Sequence, residues 1–269
     1  MCADQVDTVF AGEIPELYDR YLVPFIFEGY ANDLADLVAS EAPSSVLELA
    51  AGTGVVSRIL AGRLPSAALT ATDLNQAMLD YAATQTDAAN VDWRRADAMA
   101  LPFARSQFDA VVCQFGVMFF PDRIDAYLEA RRMLKPGGRF IFNTWDRIEE
   151  NEIPMVISDA VAAMFPDDPP AFLRRTPHGY HDVSAVRADL EAAGFSSIEL
   201  RTVARRSVAP SPRDAVLGLC AGTPLRNEIE ARDPNRLDEA VTAATAAVGA
   251  GFGPGEVEGE IQAHVIVAS

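Results

Sequence analysis

The stretch VLELAAGTGVVSRIL, residues 46–60, decides the fold. It opens on a short apolar run, Val46-Leu47-Glu48-Leu49, of strand length. It passes through the small, glycine-rich Ala50-Ala51-Gly52-Thr53-Gly54 and continues from Val55 to Leu64 with helical spacing, up to Pro65. Strand, tight turn and helix in that order begin a βαβ unit. Glycines at such a turn let the backbone pass close to a ligand, and the helix start offers unpaired N–H groups. The carboxyl end of a strand is also where open α/β sheets bind ligands. Alone, one Gly-x-Gly pair is a weak signal.

Working outward, the alternation repeats. Ala68–Thr72 reads as a second strand, followed by a helix that Asn75 caps and that runs to about Thr84. Val91–Arg94 is a third strand and Phe108–Cys113 a fourth, nearly all apolar as a strand buried on both faces should be. A helix over Asp122–Leu134 stops at Pro136-Gly137-Gly138, and Arg139–Thr144 is a fifth strand. This order predicts right-handed βαβ units and a parallel sheet, an α/β fold. After Trp145 the regularity breaks. Residues 147–180 carry Pro154, Pro166, Pro169, Pro170 and Pro177 around an apolar helical run, Ile153–Phe165. Then come a helix over Asp182–Ala193, a strand over Ile198–Val208, and a second interruption at about 210–255 with an Ala-rich helix, Leu237–Val248. Ile261–Ala268 is the closing strand, and residues 15–40 read as helical ahead of the sheet. The expected organisation is an N-terminal helical arm or lid, 1–44, and a domain, 45–269, with cap insertions at about 147–180 and 210–255.

The net charge of −17 over 269 residues argues against the phosphate-neutralising surface of a nucleic-acid binder and against an anionic membrane surface. The basic pairs, such as Arg94-Arg95 and Arg131-Arg132, are interleaved with acids. Cys2, Cys113 and Cys220 are widely spaced, so neither a disulfide framework nor a zinc site is expected. The first residues lack a basic stretch followed by an apolar one, and no apolar run reaches membrane-spanning length. These features predict a soluble cytoplasmic protein, monomer or homodimer, with no metal, no nucleic acid and no membrane partner.

Further residues suited to a ligand stand at the strand ends. Asp73 closes the second strand, 19 residues past Gly54, a spacing that suits a carboxylate accepting from both hydroxyls of a ribose. It also reads as an acid at a helix start, beside Asn75. Asp97-Ala98 follows the third strand, where a side chain can meet an adenine amino group, although an Asp there also reads as a turn residue. Cys113-Gln114-Phe115-Gly116 ends the fourth. A dinucleotide site shares the strand, the glycines and the acid, but Ser57 stands where its third glycine would be. The ordered set is more specific than any single motif.

VLELAAGTGVVSRIL (46–60), ATDLNQAMLDYA (71–82), WRRADAMALPFARSQFDAVVCQFGVMFFPD (93–122) and RRMLKPGGRFIFNTWD (131–146) together resemble the class I S-adenosylmethionine (SAM)-dependent methyltransferases. Within them the chain is most similar to the ubiquinone/menaquinone-biosynthesis-like, or type 11, branch, over residues 46–146. The resemblance implies a doubly wound, mostly parallel, seven-stranded Rossmann-like sheet whose last strand is antiparallel. It implies SAM as cofactor, S-adenosylhomocysteine as product and a small-molecule acceptor. Gly52 and Gly54 with Ala50 would line the methionine part, in the loop that also carries Thr53. Glu48 would sit beneath that loop. Asp73 would bind the ribose, Leu74 and Met78 would lie against the adenine, Asp97 and the Ala98 N–H would meet its edge, and Gln114 would wall the methyl group. Ala50 departs from the family's usual glycine.

On the acceptor side the candidates are Tyr18 and Tyr21 on the arm, Phe119 after the fourth strand and Trp145 after the fifth. Ordinary core packing explains aromatics equally well. Asp146, His178, Tyr180 and His181 could each supply a base, and the sequence selects none. A SAM-binding protein without methyl transfer, and a nicotinamide-dependent oxidoreductase, are the rival readings.

Overall fold

The computed structural model describes residue 7, residue 10 and residues 12–269; Cys2 lies outside them. Strands β1 to β7 are, in chain order, Ser45–Glu48, Ala68–Asp73, Val91–Arg95, Phe108–Gln114, Leu134–Trp145, Ile198–Ala209 and Val257–Ala268. Helices α1 to α11 are Ile14–Leu17, Glu28–Ala39, Val55–Arg63, Gln76–Thr84, Arg123–Met133, Glu152–Ala163, Phe172–Arg175, Val183–Ala192, Pro212–Val216, Leu225–Arg232 and Leu237–Phe252. The strands form one sheet in the order β3-β2-β1-β4-β5-β7-β6. β1 is central and parallel to both neighbours, with Leu47 opposite Thr70 on one side and Val111 on the other. The sheet is mixed, with one antiparallel strand, the last. Ser197 and Ser269 exchange backbone bonds of 3.0 and 2.9 Å, and Ser207 Oγ donates to the Gly259 carbonyl at 2.9 Å. Residue numbers therefore rise along β6 as they fall along β7.

The chain divides into two compact units, and the divisions fall inside α2, β6 and β7, at the end of β5 and after Gly179. One unit holds residues up to Gly29, Trp145–Gly179 and Ala204–Gln262; the other holds Tyr30–Thr144, Tyr180–Val203 and Ala263–Ser269.

In the sheet-bearing unit, alternation along β5 shows why helices cover both faces. Ile141 joins Leu34 and Val38 of α2 and Val56 and Leu60 of α3 in one core cluster. Its neighbours Phe140 and Phe142 point the other way, stack on each other at 4.7 Å and receive Tyr127 of α5. Helix α5 begins at Asp122, whose carboxylate accepts the Asp125 N–H at 3.0 Å. Pro136-Gly137-Gly138 does not separate helix from strand as expected. Leu134 already pairs with Phe108, and the register then jumps so that Arg139 faces Ala110. The Pro-Gly-Gly run is thus a bulge inside β5, with Gly137 at φ 81°.

In the other unit the first part of the arm, up to Gly29, is helical but is widened after α1 into π turns over Tyr18–Phe27. Pro24 lies inside them, and the Glu28 N–H reaches the Val23 carbonyl; a proline there gives up one helical donor, which a widened turn tolerates. A second π segment follows α9 over Leu217–Ala221. Its Gly218 comes so near Tyr21 and Leu22 that a Cβ would lie 3.3 Å from their backbone. An ion cluster with two buried acids, Asp7 and Glu228, and a more exposed Arg175 ties distant segments together. Arg175 grips the Asp7 carboxylate and reaches Glu228 at 2.7 Å, and Glu228 also accepts the Ala171 and Phe172 N–H groups at the start of α7.

Candidate functional site

The loop after β1 is held from below before any ligand is considered. The Leu49 N–H donates to the Val112 carbonyl at 2.8 Å and the Ala51 N–H to the Thr72 carbonyl at 2.9 Å, so β4 and β2 flank the turn. Three residues take left-handed backbone: Ala50 at φ 51°, Gly52 at 56° and Gly54 at 80°. Gly54 begins α3, and a Cβ on it would come within 2.6 Å of the Trp93 ring. Glycine is required there by both conformation and space.

Glu48, buried beneath the loop, accepts a hydrogen bond from the Ser57 hydroxyl. Burial is the main cause of a pKa raised from 4.5 to about 8, reinforced by Asp73 and opposed by Ser57 and Arg58. The side chain is therefore mostly neutral at pH 7. Ser57, which the sequence marks only as a missing third glycine, is the partner that makes a buried Glu48 tolerable.

Asp73 links loop and strand. One carboxylate oxygen accepts the Gly52 N–H at 2.9 Å, and the other accepts the Asn75 N–H at 2.8 Å and Asn75 Nδ2 at 3.4 Å. Asn75 sits at the cap position of α4 but its side chain caps nothing; it turns to Asp73 instead. Burial raises the Asp73 pKa, and the backbone N–H bonds act against that rise. Met78 is buried on α4, its Cε near Gly52, while Leu74 is 47% exposed. Asp97 Oδ1 accepts the Met99 N–H at 2.9 Å, which closes a turn that carries Ala98.

Gln114 ends β4 opposite Asn143 of β5. The next residue, Phe115, is also left-handed, at φ 47°, and its N–H donates to Asn143 Oδ1 at 2.8 Å. Sequence reasoning misses Asn143, because nothing marks an Asn in an apolar strand as functional. The structure thus brings Glu48, Ala50, Gly52, Thr53, Gly54, Asp73, Leu74, Met78, Asp97, Ala98 and Gln114 to the carboxyl ends of β1, β2, β3 and β4 within one unit.

The acceptor-side candidates divide. Phe119 lies in that same unit, in a short turn over Val117–Phe119. Tyr18, Tyr21 and Trp145 belong to the other. There Tyr18 stacks on Phe27 at 5.2 Å, Phe27 lies 6.0 Å from Trp145, and Trp145 lies 6.0 Å from His178. His178 Nδ1 meets the Asp146 carbonyl at 2.7 Å, which leaves Nε2 as the nitrogen that bears the lone pair in the neutral ring. Tyr180 is engaged by Asp189 at 2.6 Å, and burial pushes its pKa up. Among the described residues no group of His, Cys, Asp or Glu could hold a metal, and no helix is long and apolar enough to cross a membrane.

Comparison with known proteins points the same way. A family model described as a methyltransferase domain matches residues 47–142. The demethylmenaquinone methyltransferase of Thermus thermophilus is 40% identical over 108 residues, 39% of this chain and 49% of that protein. The ubiquinone/menaquinone biosynthesis C-methyltransferase of Paracoccus denitrificans is 30% identical over 186 residues, 63% of this chain and 73% of that protein. The chain spans about half the length of most curated relatives it matches. Among solved structures, a SAM-dependent methyltransferase from Aquifex aeolicus superposes with a TM-score of 0.51 at 18% identity, covering 71% of this chain and 90% of that one.

Proposed function

The chain belongs to the SAM-dependent methyltransferases, and from that footing we propose that it transfers a methyl group from SAM to a small-molecule acceptor. One observation carries the reading: Asp73 is bonded through one oxygen to the glycine loop and through the other to the start of α4, so a buried carboxylate faces the loop in a fixed orientation. Its two short bonds leave about two of a carboxylate's roughly four acceptor sites for the ribose hydroxyls, once the long 3.4 Å contact to Asn75 Nδ2 gives way.

The residues fit the cofactor. The left-handed Gly52 and Gly54 present backbone without side chains, and the Thr53 hydroxyl, fully buried, has no partner among the described residues. A buried hydroxyl in that condition is suited to a polar group of a ligand. Ala50, Gly52 and Gly54 are assigned to the methionine part, Asp97 and the Ala98 N–H to the adenine edge, and exposed Leu74 with Met78 to its face. When bound, SAM supplies a methyl group on a sulfonium, whose departure leaves a neutral thioether. The protein's share is alignment of the acceptor with the methyl carbon, and exclusion of water. Gln114 is assigned to the wall near the methyl group.

For the acceptor we favour a hydroxylated aromatic molecule. The names of the Thermus and Paracoccus relatives point to quinone biosynthesis. Tyr18, Tyr21, Phe119 and Trp145 are assigned to acceptor recognition, and the arm (1–44) and insertions (147–180 and 210–255) to the same task. We read the protein as cytoplasmic, monomer or homodimer, with no nucleic-acid partner at its net charge of −17.

Titration calorimetry with SAM, S-adenosylhomocysteine and NADH tests the cofactor, and transfer of labelled methyl to a panel of hydroquinones and phenols tests the reaction. Micromolar binding of the first two with transfer to a panel member is expected. Preference for NADH, or no binding of SAM, overturns the reading.

A further inference from the structure

Asn143 is fully buried, and its Nδ2 has no partner among the described residues. A buried amide donor left unpaired is costly, so the position is kept for its other atom, the oxygen. That oxygen accepts the N–H of Phe115, a bulky residue in left-handed backbone that such side chains rarely adopt. A hydroxyl is too short to replace it, and a carboxylate would add a buried charge with no cationic partner among the described residues, which burial makes costly. The Phe115 ring packs edge-on against Tyr30 at 5.5 Å, and the Tyr30 hydroxyl donates to the Val203 carbonyl at 2.8 Å. The turn is therefore pinned at its backbone by β5 and at its ring by α2.

Gly116 comes directly after the turn. A Cβ there would lie 2.5 Å from the Ala50 Cβ and 2.7 Å from Cys113 Sγ. Ala50 is the other left-handed non-glycine residue of the site, in the loop after β1. Two strained turns, one after β1 and one after β4, are thus nested at a glycine. We propose that Asn143 is a positioning residue for the methyl-donor pocket. Its carboxamide oxygen holds Phe115 left-handed, which seats Gly116 against Ala50 and fixes the loop that carries Gly52, Thr53 and Gly54. The ligand it serves is the one proposed above, so this inference rests on that reading.

The test uses the full chain and two readouts. The first needs no ligand: amide hydrogen exchange of residues 49–54, compared with exchange in β3 and β5 of the same sample. Asn143→Ala is expected to speed exchange at Ala51, Gly52 and Gly54 about tenfold relative to those strands, the size of one residue's left-handed penalty. In a Phe115→Gly background, where the conformation is free to form, the same substitution is expected to add less than about twofold. The second readout is the affinity for S-adenosylhomocysteine, which should fall by a similar factor and show the same dependence on background. Unchanged loop exchange in Asn143→Ala overturns the proposal, as does an equal effect in both backgrounds, which would mean that Asn143 acts other than through Phe115. If Asn143→Ala does not fold, Asn143→Thr replaces it in the same two-background comparison. A wild-type chain that fails to bind S-adenosylhomocysteine counts against the methyl-donor reading, while the ligand-free exchange still decides the role of Asn143.

Discussion

Asp109 and Asp73 stand at opposite ends of neighbouring parts of one sheet, and the same side chain does opposite work in each. At the amino end, Asp109 is saturated. One oxygen accepts the Ser44 and Ser45 N–H groups and both their hydroxyls, and the other accepts Lys135 Nζ at 2.8 Å. Those donors, Lys135 foremost, hold its pKa well below the usual carboxylate range. At the carboxyl end, Asp73 is more deeply buried but has fewer donors, and burial raises its pKa. Glu48 and Thr53 near it, and Asn143 towards the carboxyl end of β5, repeat the pattern of polar groups in apolar surroundings with incomplete partners. Bonding capacity goes to stability at one end and is kept for a ligand at the other, the division expected of an open α/β sheet.

The sharpest way to break this contrast is to remove each acid in turn. Asp73→Ala is expected to weaken S-adenosylhomocysteine binding by roughly 100-fold or more, because two hydrogen bonds to a charged acceptor are lost. Titration calorimetry reads the loss directly, and affinity within threefold of wild type would remove the ribose assignment. Asp109→Ala is expected to do the reverse. It should cost about 2 kcal/mol in urea unfolding, since one residue anchors the start of β1 to β5, and leave ligand affinity within about twofold. An Asp109 variant that lost binding but not stability would invert the two ends.

Titration gives a second contrast, of opposite sign. Glu48 has a folded-state pKa of about 8 against an ordinary 4.5, so between those values the folded protein binds more protons than the unfolded chain. Its contribution therefore makes stability fall as pH rises through that window. Asp109 is lowered, so its contribution is present above the ordinary 3.8 and is lost as pH falls below it. Urea midpoints from pH 5 to pH 8 should slope downward in the wild-type protein, and the slope should flatten in Glu48→Gln, which keeps an acceptor for Ser57. A slope unchanged in Glu48→Gln would place the titrating group elsewhere.

The amino-acid sequence makes most of the binding end legible and little of the rest. Gly52, Gly54 and Asp73 are readable because their function constrains residue type at fixed spacing from a strand. Ser57 is visible only as a departure from another motif, since its role depends on a partner nine positions earlier, across a turn. Asn143 carries no signal, because an isolated polar residue in an apolar strand looks the same whether it caps a neighbouring turn or merely tolerates burial. The bulge at Pro136-Gly137-Gly138 reads wrongly as a helix stop, since the same residues serve both uses. In the helical unit the longer helices are legible, but Phe172–Arg175, Pro212–Val216, Leu225–Arg232 and the π turns are not, being short or irregular, and neither are the partners. Asp7, Arg175 and Glu228 are far apart in sequence, and no periodicity connects them.

Ala50 offers the smallest and most diagnostic change. Its small side chain reads as a harmless replacement for the family's glycine, but its φ of 51° lies where an L-residue is strained by roughly 1–2 kcal/mol. Two effects oppose relief of that penalty in Ala50→Gly. Glycine enlarges the unfolded ensemble, at a cost of about 0.4–1 kcal/mol. The Ala50 Cβ also packs against Gly116, and that contact would be lost. Relief less the ensemble cost leaves about 0–1.5 kcal/mol, which the lost contact reduces, so the net expectation is a stabilisation of about 1 kcal/mol or less, together with looser packing at Gly116. If the nested turns fix the loop, the slightly more stable Ala50→Gly protein should exchange its Gly52 and Gly54 amides faster than wild type, not slower. A rise in stability with slower loop exchange would show that Ala50 is simply a strained residue, and that the contact with Gly116 does nothing for the site.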